Sequence, residues 1–350
     1  MQKMLFFFIF MITFLYSKSS NISAFLPKID SFIISIGAEK VNSTIDIFNM
    51  KEKEGSNKSS TLGDMEGIDF NFGYKFNNKI YTSLTFNYKK LNYIGTQLIN
   101  KQLDLYLRYQ LYKKDNLAFS IDGGYTINRA NDTLINSLEA INNILEDILP
   151  EKEIELKEIE NQQLLIYHED DKSVKTIPLK NKTFFKVKNT NDSSFYTRAI
   201  LSLKKDKWLF NTYLGYKETM IHSEMDSSIF DEDDIDLKKE LEKVNFIQER
   251  QDSMIFGGVG LNYHFHQWIG EINYQYNYIM RVAHLQNTKS NHIFNLNLTY
   301  MATKNIDYYI GAKIMLHQFN GEIPYLYGEY NKGSFHHKYG FANVGVVYKF

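Results

Sequence analysis

Apolar residues recur at every second position over stretches of about 10 to 14 residues along this chain, a period that strands use and helices do not. In an extended strand successive side chains point to opposite faces, so each stretch carries one apolar and one polar face. IDFNFGYKF puts Ile68, Phe70, Phe72, Tyr74 and Phe76 on one side, and QLDLYLRYQLY puts Leu103, Leu105, Leu107, Tyr109 and Leu111 there. LAFSIDGGYTI gives Leu117, Phe119, Ile121, Tyr125 and Ile127, and WLFNTYLGY gives Trp208, Phe210, Thr212, Leu214 and Tyr216. The same alternation runs from Ile80 to Tyr88, Phe195 to Leu203, Ile255 to Phe265, Trp268 to Met280, Phe294 to Tyr300 and Tyr308 to Leu316. SFIISIGAEK opens the series and NVGVVYKF closes it, with Ala342, Val344, Val346, Tyr348 and Phe350 on one face. The expectation is an all-β chain of about twelve strands.

The connections sort by parity. FNNK, KKDN, KKDK, HFHQ and ATKN are short, whereas KEKEGSNKSSTLGDME, YIGTQLIN, LQNTKSN, FNGEIPYLYGEYNKG and the segments at about 129–193 and 222–251 read as long or charged. A soluble sandwich has no cause to alternate its loops this way. An up-and-down antiparallel barrel in a membrane does, with turns on one rim and loops on the other. Hydrocarbon leaves every backbone polar group to be paired within the protein, so only helices or a closed barrel can cross it. No apolar run is long enough for a crossing helix, which leaves the barrel, its alternating face turned to lipid. Aromatics make up 15% of the chain, with 25 Tyr and 26 Phe, and they fall near strand ends, where interfacial girdles form. Phe76, Phe265, Trp268, Tyr300, Tyr308, Tyr348 and Phe350 lie at the short-turn ends, and Phe86, Tyr88, Tyr125, Tyr216 and Tyr278 at the others.

The first residues, MQKMLFFFIFMITFLYSKSS, have a basic Lys3, an apolar run and then small residues, the anatomy of a secretory leader. Removal of residues 1–19 is expected, leaving 20–350 as a single barrel with outer insertions at about 129–193 and 222–251. Cysteine is absent, which removes disulfides, thiolate metal sites and Cys nucleophiles. A net charge of −1 gives no footprint for nucleic acid.

Val344, Val346, Tyr348 and a terminal Phe350, together with the leader and the loop parity, resemble the C-terminal signature of Gram-negative outer-membrane β-barrel proteins. The resemblance implies the cell outer membrane as location. It also implies membrane lipid and lipopolysaccharide as surroundings, and a barrel-assembly machinery that reads those four residues. The strand count resembles the twelve-stranded group, which includes oligosaccharide porins, a nucleoside channel, autotransporter translocators and a phospholipase; the chain matches no single member. Lipid-facing and subunit-facing apolar positions look alike, so the pattern carries no oligomeric state.

The opposite face then lines the lumen. Arg108 and Asp122 flank the KKDN turn so that a hairpin register sets them opposite each other, either as a pair bracing the wall or as part of a cationic rung with Arg198 and Lys217. Asp104, Tyr213, Glu271 and Lys313 join them as expected pore-lining or solute-binding residues. Their acids argue against a purely anion-selective path. Twelve strands enclose more room than the eight that side chains fill, and less than the sixteen of wide aqueous channels. The leading expectation is a porin-like channel for passive diffusion of small polar or charged solutes, without cofactor or metal. The competing expectation is a non-conducting surface barrel whose outer loops bind other molecules. A barrel hydrolase would need a Ser and a His meeting across strands at the rim, and His222 and Ser223 are adjacent in sequence instead. Within the long connections, Leu134, Leu138, Ile141, Leu145 and Ile148 predict a helix over 134–148, QQLLIYHEDDKSVKTIPL a hairpin, and DEDDIDLKKELEKV a solvated acidic cap.

Overall fold

The computed structural model describes residues 22–27, 32–41, 65–93, 96–135, 142, 154–159, 163–168, 173–178, 185–226, 247–281, 289–316, 321–326 and 339–350. Twelve long strands carry the fold: β1 (Phe32–Val41), β2 (Met65–Lys75), β3 (Ile80–Tyr93), β4 (Thr96–Lys114), β5 (Leu117–Ala130), β6 (Phe185–Lys205), β7 (Trp208–Asp226), β8 (Ile247–Phe265), β9 (Trp268–Met280), β10 (Ser290–Met301), β11 (Ile306–Met315) and β12 (Tyr339–Lys349). Each pairs antiparallel with its sequence neighbours, and β12 pairs back onto β1 from Ile33↔Lys349 to Lys40↔Ala342, closing the sheet into a barrel. Phe350 donates its N–H to the Phe32 carbonyl at 3.0 Å, so the chain end is tied into the rim. No described helix is long and apolar enough to cross a membrane.

The short-turn rim is made by local chemistry. Three two-residue turns begin with a residue in the left-handed region, Asp115 (φ 44°), Asp206 (φ 52°) and His266 (φ 49°), the geometry whose twist matches that of antiparallel strands. The two longer turns are tied by side chains. Asn77 Oδ1 accepts from the N–H groups of Lys79 (2.8 Å) and Ile80 (3.0 Å), and Thr303 Oγ1 from those of Asn305 (3.2 Å) and Ile306 (3.0 Å). On the outer surface just above them, rings meet along the rim: Phe32 with Tyr74 at 4.4 Å, Trp208 with Tyr263 at 4.3 Å, Trp268 with Tyr300 at 4.8 Å and Tyr348 with Phe350 at 4.4 Å.

The face assignment holds. Phe70, Leu105, Leu107, Phe195, Leu214, Val259, Ile272, Leu296 and Ile310 are exposed on the outside. Asp69, Thr85, Arg108, Asp122, Asn211, Glu271, Asn273 and Asn343 are buried inside. A continuous exposed apolar band on a closed sheet is stable only against lipid, because in water it would be an aggregation surface. The chain is therefore a transmembrane β-barrel of the outer-membrane type.

Several boundaries differ from expectation. YIGTQLIN is not a long loop: β3 and β4 stay paired up to Tyr93↔Thr96. Strands β6, β7 and β8 run well into the segments expected to be loop, from Phe185, to Asp226 and from Ile247. Leu134, expected to start a helix, lies in a short strand, Thr133–Ile135, paired with Phe185 to Val187 of β6. Asn142 is helical, and the other residues of the 134–148 stripe beyond Ile135 lie outside the described residues, as does DEDDIDLKKELEKV. The expected hairpin is present, Gln163–His168 against Ser173–Pro178, extended by Ile154–Ile159 into a three-stranded sheet.

Candidate functional site in the lumen

Three neighbouring strands bring Arg108, Asp122 and Arg198 to one level, with Asp122 the direct register partner of both arginines. Arg108 donates Nε to Asp122 Oδ1 at 2.6 Å and Nη2 to Oδ2 at 2.9 Å, and Arg198 donates Nε to Oδ2 at 3.2 Å. The carboxylate is fully buried, so the two guanidiniums and not water supply its solvation. Arg198 also lies over the Tyr213 ring at 5.7 Å, and Tyr213 donates its hydroxyl to Gln275 Oε1 at 3.0 Å. Arg108 and Asp122 form a cross-strand pair in the wall that Arg198 joins, leaving one positive charge in excess, whereas Lys217, expected in the same rung, bonds the Gly321 carbonyl instead.

Two tyrosines lie close against the wall near this level. A Cβ at Gly124 would run into the Tyr196 ring, and one at Gly258 into the Tyr213 hydroxyl. Glycine at those two positions lets each tyrosine lie flat across the neighbouring strand. Asp104 accepts from Thr126 Oγ1 at 2.6 Å, off the arginine cluster. Glu271 is buried opposite Asn297 on β10, also apart from it.

Among the described residues, two segments outside the strands enter the lumen, and neither was foreseen. At the long-connection end, residues 321–326 from the β11 to β12 connection fold inward. Lys217 donates to the Gly321 carbonyl (3.2 Å), Arg250 Nη2 to the Pro324 carbonyl (2.7 Å), and Lys313 pairs with Glu322. Tyr325 donates its N–H to Asp192 (3.4 Å) and its hydroxyl to Asn100 Oδ1 (2.8 Å). Burial, with Asp192 beside it, pushes the Tyr325 phenol well above its usual value, so the hydroxyl stays a donor. Ile323 and Tyr325 pack on Met65, Leu91, Leu98, Ile221, Ile293, Met315 and Phe341. At the other end, residues 22–27 turn up into the lumen, where Arg108 Nη1 donates to the Ser23 carbonyl and Gln110 Nε2 to that of Ala24 at 2.6 Å.

Of the residues expected from sequence, Arg108, Asp122, Arg198 and Tyr213 therefore converge, Lys217 and Lys313 hold the outer segment, and Asp104 and Glu271 stand apart. Asp192, Arg250, Asp252 and Arg281 were missed. Asp252 accepts from Arg250 (3.2 Å) and Arg281 (3.1 Å), a second buried carboxylate shared by two arginines. Asp192 has the parity of Arg198, and Asp252 that of the luminal Phe256, but both precede the residues where alternation with lipid-facing aromatics becomes visible. Rim chemistry is arranged otherwise: His222 lies between Glu224 and Glu249, while Ser223 bonds Thr190.

No protein-family model matches the chain, and no curated protein does. Among solved structures, it is similar to the translocator domain of autotransporter NalP from Neisseria meningitidis, at 8% identity and TM-score 0.48, over 93% of this chain and 90% of that one. It is also similar to the NanC porin, at 10% identity and TM-score 0.43 over 91% and 100%. The toluene transporter TodX of Pseudomonas putida matches at 8% and 0.41 over 94% and 92%. Likenesses this remote carry no argument about function, which rests on the lumen itself.

Proposed function

We propose that this chain is an outer-membrane channel for passive diffusion of small polar or charged solutes, held in a narrow resting state by its two luminal segments. One observation carries the reading. Luminal cations on the wall, Lys217, Arg250 and Arg108, bond main-chain carbonyls of segments that are not part of the wall. Each such bond contributes about 1 to 3 kcal/mol net of hydration, so a segment can leave one at a time and water or solute can replace it. A barrel serving only as an anchor needs wall-to-wall pairs alone. The lumen is charged at several levels, in both signs, so a hydrated ion or small polar solute finds partners along its path.

The test is recording in planar bilayers. Stepwise conductance is expected, with an increased open fraction when Lys217→Met and Arg250→Met together remove two of the ties on residues 321–326. Arg198→Glu is expected to shift the reversal potential toward cation preference. Absence of steps in both wild type and the double variant would sink the channel. A second reading, a surface barrel that binds through its loops, is favoured by the ordered three-stranded sheet spanning Ile154 to Pro178. It predicts a silent bilayer and loss of surface binding when that sheet is deleted.

A further inference from the structure

The segment before β1 is held as a ligand is held. Its backbone is bonded at Ser23, Ala24 and Pro27 by side chains from four strands. Pro27 gives its carbonyl to Lys75 Nζ of β2 at 2.6 Å. The Ala24 carbonyl takes two donors, Gln110 Nε2 of β4 at 2.6 Å and Ser120 Oγ of β5 at 2.8 Å. Ala24 donates its N–H to Ser202 Oγ of β6 at 2.7 Å, and the Ser23 carbonyl accepts from Arg108 of β4. Beside these polar fingers the wall carries apolar residues at luminal positions, among them Ala118, Ile200, Met254 and Phe256, and Ile22 and Ala24 pack into that patch. Tyr213, Ile279 and Tyr196 of the wall join this patch, and Ile22, Ala24 and Phe25 cover it from the lumen side.

We propose that these luminal groups form a binding site for short bent peptides with apolar side chains, filled at rest by residues 22–27 as a tethered occupant that bends at Ala24 and Phe25. The inference rests on the channel reading and gives it a solute class. Recognition is by backbone carbonyls and one N–H, so it tolerates side-chain variety while requiring peptide spacing along about four residues. Removal of the leader expected over residues 1–19 makes this segment a chain end, able to withdraw toward the short-turn mouth without unthreading. Tethering holds the occupant at a high effective concentration, so a free peptide competes only when abundant.

The experiment is a fluorescence-anisotropy titration in detergent. A labelled peptide NISAFLPK is added to wild-type barrel and to a variant lacking residues 22–27, each first shown folded by heat-modifiable gel mobility. Saturable binding to the deletion variant, at least tenfold tighter than to wild type, is expected. Gln110→Ala with Ser120→Ala in the deletion background should weaken it at least tenfold, as should N-methylation of the peptide at the Ala24 position, which removes the donor to Ser202. No saturable binding, or equal binding with and without the tethered segment, overturns the proposal. Because the readout is binding, a barrel that binds the peptide but never conducts refutes the channel and leaves the site standing. One that conducts but never binds does the reverse.

Discussion

Substituting Asp122→Asn isolates the energetic centre of the lumen. Asp122 accepts hydrogen bonds from Arg108 at 2.6 and 2.9 Å and from Arg198 at 3.2 Å. Its side chain has no exposed surface and that of Arg108 is 5% exposed, so water cannot take over the freed donors. The amide keeps one acceptor, turns an NH₂ toward a guanidinium, and leaves buried Arg108 and partly exposed Arg198 without the carboxylate they share. Removing one partner of a buried pair costs about 3 to 5 kcal/mol. Asp104→Asn is the control: that carboxylate is only half-buried and accepts a bond from Thr126 at 2.6 Å, so the loss should be about 1 kcal/mol. Urea unfolding of barrels folded into lipid vesicles reads both, using fluorescence of the two tryptophans, Trp208 and Trp268, at the rim. Arg108→Met with Asp122→Leu should recover part of the loss, since it removes two of the three charges together while Arg198 still lacks its carboxylate. A loss for Asp122→Asn no larger than the control's would refute the claim that this carboxylate holds the wall.

Leu214, the most lipid-exposed apolar residue of β7 at 64%, lies six residues above the Trp208 rim, near mid-bilayer for a tilted strand. Leu214→Lys should cost about 2 to 4 kcal/mol in the same assay, and Trp208→Lys close to 1 or less in electrostatic terms; equal costs would contradict the placement. Tyr325→Phe removes the donor to Asn100 and leaves a buried acceptor unpaired, about 1 to 3 kcal/mol. Its readout is a raised open fraction in bilayers, and unchanged gating would release Tyr325 from any role in holding the outer segment. Phe350→Ala should reduce the folded, heat-modifiable fraction in outer-membrane preparations. Normal yield would separate the terminal residue from assembly.

Alternation alone decided which side chain faces lipid and which faces the lumen. Because the period of a strand is two, parity at Phe70 fixes its neighbours along the strand, and parity at Leu105 does so as far as the bulge between Gln110 and Tyr112. Closure was legible too, since Ala342 to Phe350 and the strand near Phe32 are the two unpaired edges of a series in which every other strand already has partners. The register of Arg108 against Asp122 followed from the KKDN turn. Arg198 reaching the same carboxylate did not, since β5 and β6 are joined by more than fifty residues whose path the turn rule cannot see. Strand ends such as Asp192 and Arg250 escaped because alternation with aromatics fades above the lipid band, where both faces meet water.

The luminal segments belong to tertiary structure. Residues 22–27 and 321–326 have no period, and nothing local distinguishes ISAFLP or GEIPYL from an ordinary linker. Their destination was written elsewhere, in apolar residues at luminal parity such as Leu91, Leu98, Ile200, Ile293 and Phe256, each of which breaks the polar face it sits on. Those exceptions come from many strands, and only closure of the barrel brings them together. Sequence determined a membrane barrel and its two faces, because strand geometry is local. What fills the lumen was decided by the closed sheet, because a binding surface assembled across a barrel has no counterpart along the chain.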